Sequence, residues 1–192
     1  MSKRILVILG HPAEHSFCRA LADAYVKGAE AAGNEVQFLA LGQFSFDPIL
    51  HEGYARIQDL ETDLVSAQAG ISWAQHLVFV YPTWWGAMPA LLKGFIDRVF
   101  LPGFAFKYRE GSVFWDRLLV GRSAHVLVTM DSPPWYYRWV VHRPGHNQMK
   151  RAILEFSGIK PVAISNFGPV KKSELQQREK WLARAAQFGH RA

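Results

Sequence analysis

The sequence predicts an α/β fold built on a doubly wound parallel sheet, and three observations predict it. Apolar runs of strand length alternate with stretches of helical periodicity. The runs are continuously apolar rather than alternating, as strands buried on both faces are. No repeat, low-complexity tract or linker interrupts the alternation, so residues 1–192 read as a single domain. Five strands joined by right-handed crossovers fit the order 2-1-3-4-5, with helices on both faces. The switch point then lies between the first and third strands.

Residues 4–9 form the first strand, and a helix follows over 16–32 with Ser16 as N-cap and Gly33-Asn34 as its stop. Residues 35–41 are the second strand and 76–81 the third. Between them lie a loop around Phe46-Asp47-Pro48 and a helix over about 59–75. Residues 89–100 are helical, with Pro89 in the first turn. Leu91, Leu92, Phe95, Ile96 and Val99 form the sheet-facing stripe of that helix, and Asp97 and Arg98 its solvated face. The fourth strand spans 123–130, a helix 147–157 and the fifth strand 161–166. Ser173 caps a last helix that reaches about Phe188. Segments 101–120 and 131–146 read as irregular, and connections of that length usually serve binding or a partner.

Composition narrows the function. With 49% hydrophobic and 20% charged residues the chain is ordinary globular protein. No apolar run reaches the roughly 18 residues of a membrane span. The basic start Met1-Ser2-Lys3-Arg4 lacks a small-residue cleavage site, so no signal peptide is expected. Cys18 is the only cysteine, which excludes an intrachain disulfide and fits a reducing, cytoplasmic setting. The net charge is +6, but no basic run exceeds two residues, so nucleic-acid binding is not expected. No His/Cys/Asp spacing matches a metal site, and His11 with His15 lacks the acid and continuous helix of a zinc motif.

The most informative segment runs from Tyr81 through Trp84 and Trp85 to Phe100. Two indoles at the carboxyl end of a strand, where α/β sheets bind ligands, point to something flat and apolar resting on them. The alternative is that they plug the sheet edge. Three loops meet at that edge: 10–16, 82–88 and 129–146. The first is neither a G-x-G-x-x-G turn nor a P-loop. It does run into a helix N-terminus, whose free amides favour phosphate, and His11 and Ser16 add donors. Cys18 either carries a lowered thiol pKa or is small so that phosphate can approach.

Gly10-His11-Pro12 with Ser16-Phe17, Phe46-Asp47-Pro48, the 82–100 block and Gly103-Phe104-Ala105-Phe106-Lys107-Tyr108 together resemble the NAD(P)H:quinone oxidoreductase family. These are flavoproteins of flavodoxin-like fold that include DT-diaphorase-type and bacterial quinone reductases. The resemblance covers residues 4–165. It implies a flavin whose isoalloxazine lies against Pro82, Thr83, Trp84, Trp85 and Gly86, with His11, Ser16, Phe17 and Cys18 at its phosphates. It further implies two-electron reduction of a quinone-like acceptor by hydride transfer through flavin N5, with NADPH or NADH as donor. FAD is expected over FMN, because the first loop resembles the diphosphate-binding version. Arg178, Glu179, Lys180 and Arg184 on the last helix lie where an adenosine end would reach.

The chain departs from the family after its fourth strand. Thr129-Met130-Asp131-Ser132-Pro133-Pro134 replaces the family's Thr-Thr-Gly-Gly turn, and the two prolines remove amide donors. Thr129, Asp131 and Ser132 are the contacts that remain. The family's tyrosine and histidine that stabilise reduced flavin correspond to Tyr136 or Tyr137 with His142 or His146, and the spacing does not decide between them. An aromatic lid without proton chemistry is the alternative. Two other functions compete with the reductase. A flavodoxin-type electron carrier would want an acidic surface and more Ser/Thr phosphate donors. A regulatory subunit of a potassium-efflux antiporter would have a membrane-transporter partner, which a basic surface suits. Seven tryptophans, several in the two long loops, point to a homodimer, with Trp115 and the 135–139 segment contributing to the interface or to the pocket roof.

Overall fold

A computed structural model describes residues 2–192. In chain order the elements are β1 (Arg4–Leu9), α1 (Phe17–Ala31), β2 (Glu35–Ala40), α2 (Thr62–Trp73), β3 (His76–Pro82) and α3 (Ala90–Val99). They continue with β4 (Phe106–Tyr108), β5 (Trp115–Arg117), β6 (Ser123–Thr129), α4 (Pro134–Trp139) and α5 (Pro144–Asn147). Helix α5 runs on with π-helical pitch over Gln148–Glu155, and β7 (Val162–Phe167) and α6 (Leu175–His190) complete the chain.

The main sheet has the order β2-β1-β3-β6-β7, every pair parallel. Among the sheet strands this is the expected 2-1-3-4-5. The chain numbering differs because β4 and β5 pair antiparallel as a separate ribbon. That ribbon and α4 fall in the two segments that read as irregular. Strands of three residues and a helix of six are too short to show a period.

Strand β1 illustrates why the sheet needs cover on both faces. Leu6 and Ile8 enter one core with Leu64 of α2 and Leu92 and Phe95 of α3, while Ile5, Val7 and Leu9 enter another with Leu21 and Tyr25 of α1. All of these side chains are buried. Alternate residues of a strand face opposite ways, so both faces must be apolar. Helix α6 lies against α1 over the second core. Two histidines sit inside. His76 meets the Tyr25 hydroxyl at 3.1 Å and Ser123 Oγ at 2.7 Å, and His125 meets Ser165 Oγ at 3.0 Å.

The helix ends agree in part with the sequence. Ser16 does cap α1, its Oγ accepting from the Arg19 amide at 3.2 Å. Pro89 is the N-cap of α3, one residue before its first turn. Ser173 does not cap α6, which starts after Glu174. Its hydroxyl instead donates to the Val170 carbonyl at 2.6 Å and accepts from Arg178 Nε at 2.9 Å. Arg98 is the clearest correction, because it lies wholly buried rather than on a solvated face. Its guanidinium donates to the carbonyls of Asp47 and Asp59 and to both carboxylate oxygens of Glu61. The 44–61 loop folds over the polar side of α3 and takes the place of water.

Candidate functional site

The chain crosses from β1 into α1 at the carboxyl edge of the sheet, where the Gly10 amide donates to the Val80 carbonyl at 2.8 Å. His11 follows, its Nδ1 accepting from the Ala13 amide at 3.0 Å, and its ring meets Trp84 edge-on at 5.8 Å. Partial burial lowers the His11 pKa. The Phe17 and Cys18 amides open α1 without protein partners, as first-turn amides do. Such a helix start favours an anion.

The second wall is the turn after β3. Thr83 N–H donates to the Thr129 carbonyl at 2.7 Å, which ties the turn to β6. Trp84 and Ala87 exchange amide–carbonyl bonds at 2.9 and 3.0 Å, so the chain reverses over two residues only. Those residues are Trp85, with φ of 50°, and Gly86, with φ of 78°. Two left-handed residues in sequence suit glycine and are strained for a bulky side chain. The Trp85 and Gly86 amides have no protein partner among the described residues.

These walls enclose a cleft of about 210 Å³ lined by His11, Ser16, Phe17, Cys18, Pro82, Thr83, Trp84, Thr129 and Asp131. Nine of the expected residues therefore converge. Met130 and Val170 also line it, and sequence reasoning missed both. Val170 belongs to the loop after β7, the fourth loop at this edge. Its amide donates to the Met130 carbonyl at 3.0 Å. The switch-point rule, extended by one strand, would have included that loop.

Cys18 is buried and meets Thr129 Oγ1 at 3.2 Å. Burial pushes its thiol up to about 12, which opposes the reading of an activated thiolate. Trp84 is half exposed over the cleft, whereas Trp85 stands fully in solvent outside it. Gly86 and Ser132 are also absent from the lining.

The tyrosine and histidine candidates separate into two pairs. Tyr136 and His142 are exposed. Tyr137 and His146 are buried, with ring centroids 4.9 Å apart. The Tyr137 hydroxyl donates to the Gly86 carbonyl at 2.8 Å and accepts from the Gly145 amide at 3.0 Å. It clamps the Trp84–Ala87 turn from behind. Gly145 has no room for a side chain there, since a Cβ would lie 2.8 Å from Gly86 O and 3.0 Å from the Tyr137 hydroxyl. Burial, reinforced by Arg143, lowers His146 to about 4, so its ring is neutral at pH 7. None of the four lines the cleft.

The cleft suits a flavin in its donor set. Amides without partners among the described residues lie at both the helix start and the tryptophan turn, and the half-exposed Trp84 lines the cleft. A further hollow of about 600 Å³ is lined by Gly168, Lys172, Glu174 and Trp181. Its Trp181 packs on Phe17 at 5.9 Å, at the α1 end of the cleft. Among the described residues no cluster of His, Cys, Asp and Glu could hold a metal. No helix there is long and apolar enough to cross a membrane.

Comparison with known proteins agrees with this fold. A family model for the flavodoxin-like fold matches residues 3–188. The chain is 29% identical over 187 residues to an NAD(P)H oxidoreductase of Haemophilus influenzae, itself named uncharacterized, covering 95% of this chain and 92% of that one. Among solved structures, Smu.1420 from Streptococcus mutans UA159 is 28% identical with a TM-score of 0.85, over 98% of this chain and all 100% of that one. The NAD(P)H:quinone oxidoreductase from Methanothermobacter marburgensis is 26% identical with a TM-score of 0.82, over 99% and 96% of the two chains. The resemblance drawn from the motifs is thus to relatives that carry those names.

Proposed function

The chain belongs to the flavodoxin-like fold family, and from that premise we propose that it is a flavin-dependent NAD(P)H oxidoreductase reducing quinone-like acceptors by two electrons. The convergence of the helix start, the tryptophan turn and the end of β6 on one cleft carries the proposal. Bound there, a flavin supplies the hydride chemistry at N5, and the protein supplies binding, orientation and exclusion of water.

The residues divide that work. Trp84 offers an apolar face beside the ring, and the Trp85 and Gly86 amides are the donors for its polar edge. The Phe17 and Cys18 amides, with Ser16 and His11, hold phosphate. A protonated Cys18 adds no negative charge beside that phosphate. Tyr137 works as a positioning residue, since both its hydrogen bonds are spent on the turn and on Gly145. His146, neutral at pH 7, is suited to donate a hydrogen bond rather than to store a proton. FAD is favoured over FMN because the hollow beside Trp181 gives an adenosine end somewhere to go.

The electron-carrier alternative is opposed by the net charge of +6. The transporter-regulator alternative has no specific observation in its favour. The cytoplasmic setting belongs to the same proposal and rests on the lone, unpaired Cys18. The deciding experiment is to purify the protein, denature it and weigh the released chromophore, then assay NADPH and NADH oxidation with a quinone. A yellow protein releasing FAD and turning over quinone is expected. A colourless protein that takes up neither FAD nor FMN would end the proposal.

A further inference from the structure

A second cavity, of about 650 Å³, lies among α4, α5, the π-helical turns and the edge strand β7. Four cations line it, Arg138, Arg143, Lys150 and Arg151, and no carboxylate does. None of the four forms an ion pair among the described residues. Like charges gathered in a concave site repel one another and concentrate a field that attracts an anion. The walls hold a second sign of a ligand. His146 is only 6% exposed and its Nε2 has no hydrogen-bond partner, and the buried Oδ1 of Asn166 also has none. Trp135 and Trp139 add indoles that stand about two-thirds exposed, and the Arg138 guanidinium lies 4.8 Å over the Trp139 ring.

An anion with a flat aromatic group matches this lining. Arginine forks bind phosphate bidentately, and exposed indoles stack on bases. The cavity and the flavin cleft share no lining residue, but one stretch of chain and one side chain link them. Asp131 lines the cleft and Pro134 lines the cavity, three residues further on. Tyr137 lines the cavity and clamps the turn that carries Trp84. The hollow beside Trp181 differs in charge, since Lys172 is there accompanied by Glu174. The more highly phosphorylated adenosine therefore belongs with the four cations.

We propose that this cavity receives the adenosine end of the donor dinucleotide and binds its 2′-phosphate, so that the enzyme prefers NADPH to NADH. The proposal rests on the oxidoreductase assignment above. The 2′-phosphate adds about −1.5 to −2 charge at pH 7, taking phosphomonoester values, and nothing else distinguishes the two donors.

The test uses the holoenzyme and the Lys150→Gln/Arg151→Gln double variant, with Arg151→Gln alone as a second variant should the double one lose flavin or melt early. Calorimetry measures adenosine 2′,5′-bisphosphate and 5′-AMP, and steady-state assays measure both donors with one quinone. The wild type is expected to bind the bisphosphate at least about tenfold more tightly than 5′-AMP, given the strength of charged hydrogen bonds. The variant should lose that difference and raise the KM for NADPH about tenfold, with kcat and the NADH parameters within about threefold. Equal losses for both donors, or no change for either, would overturn the proposal. NADPH and NADH oxidation at equal kcat/KM, with no bisphosphate preference, would remove the site and leave the oxidoreductase assignment standing. Bisphosphate binding without oxidation of either donor would remove that assignment and the donor role with it, leaving only an anion site.

Discussion

The Arg98 guanidinium, with no exposed surface, reaches both carboxylate oxygens of Glu61 at 2.9 and 3.2 Å, across 37 residues of chain. The same guanidinium holds the carbonyls of Asp47 at 2.6 Å and Asp59 at 2.7 Å. One side chain on α3 thereby fixes both ends of the 47–61 loop.

Arg98→Met should therefore destabilise the protein by about 2–3 kcal/mol, the scale of losing hydrogen bonds to a charged group, since Glu61 is a third exposed and can return to water. Arg98→Lys should recover little, because an ammonium cannot serve four acceptors in one plane. Urea denaturation measures both. A loss below about 1 kcal/mol for the methionine variant would show that the loop is held by other contacts.

Stability should fall as pH drops from about 6.5 toward about 4. Burial lowers His76, His125 and His146 to about 4 from an ordinary 6.5. Between those values the unfolded chain binds protons that the folded chain refuses, so the stabilisation is complete above 6.5 and is lost on acidification. Melting temperature against pH checks the slope, which His125→Gln should make shallower. An unchanged melting temperature from pH 7 to 4.5 would contradict the burial of neutral histidines.

Trp84 and Trp85 should behave oppositely. Trp84→Ala removes an indole from the cleft wall and should weaken flavin binding by roughly 1 kcal/mol or more. Trp85→Gly relieves a left-handed tryptophan whose side chain touches no core, and should raise the stability of the flavin-free protein by roughly 1 kcal/mol. Flavin titration and thermal melts of the two variants separate these effects. Similar flavin losses in both would place Trp85 at the ring as well.

Turnover should follow ping-pong kinetics, because a cleft of about 210 Å³ leaves one flat face for donor and acceptor in turn. Double-reciprocal plots against donor at several quinone concentrations should be parallel. Intersecting lines would require both substrates to bind together.

A homodimer is expected at micromolar concentration. Trp115 is half-buried, stacked on Phe156 at 4.4 Å, whereas its neighbour Phe114 is about two-thirds exposed, and Trp135 and Trp139 roof the cavity beside α4. Aromatic side chains of this kind favour interface cores. Sedimentation velocity decides, and a monomer at that concentration would end this expectation.

The sheet was legible in the sequence because its strands are buried on both sides and announce themselves as uninterrupted apolar runs. The cleft was legible because strand ends at a switch point define where loops meet. Arg98 was not, since a helical wheel places it on the polar face and only the folded 44–61 loop closes over that face. The choice of Tyr137 over Tyr136 depends on the rotational phase of α4. Neighbouring residues on a helix point about 100° apart, and nothing local reveals that the second one faces Gly86. The divergence of Trp84 from Trp85 is likewise set by the left-handed backbone at Trp85, which no apolar pattern encodes.

If the chain reduces quinones as proposed, the burial of Cys18 has a chemical consequence. Quinones are Michael acceptors, and thiolates are their fastest protein targets. The chain has one sulfhydryl, sealed from solvent and kept as the thiol by a pKa pushed up to about 12. An arylating substrate thus finds no sulfur nucleophile on the surface, and repeated exposure to such electrophiles should leave the protein without cysteine adducts.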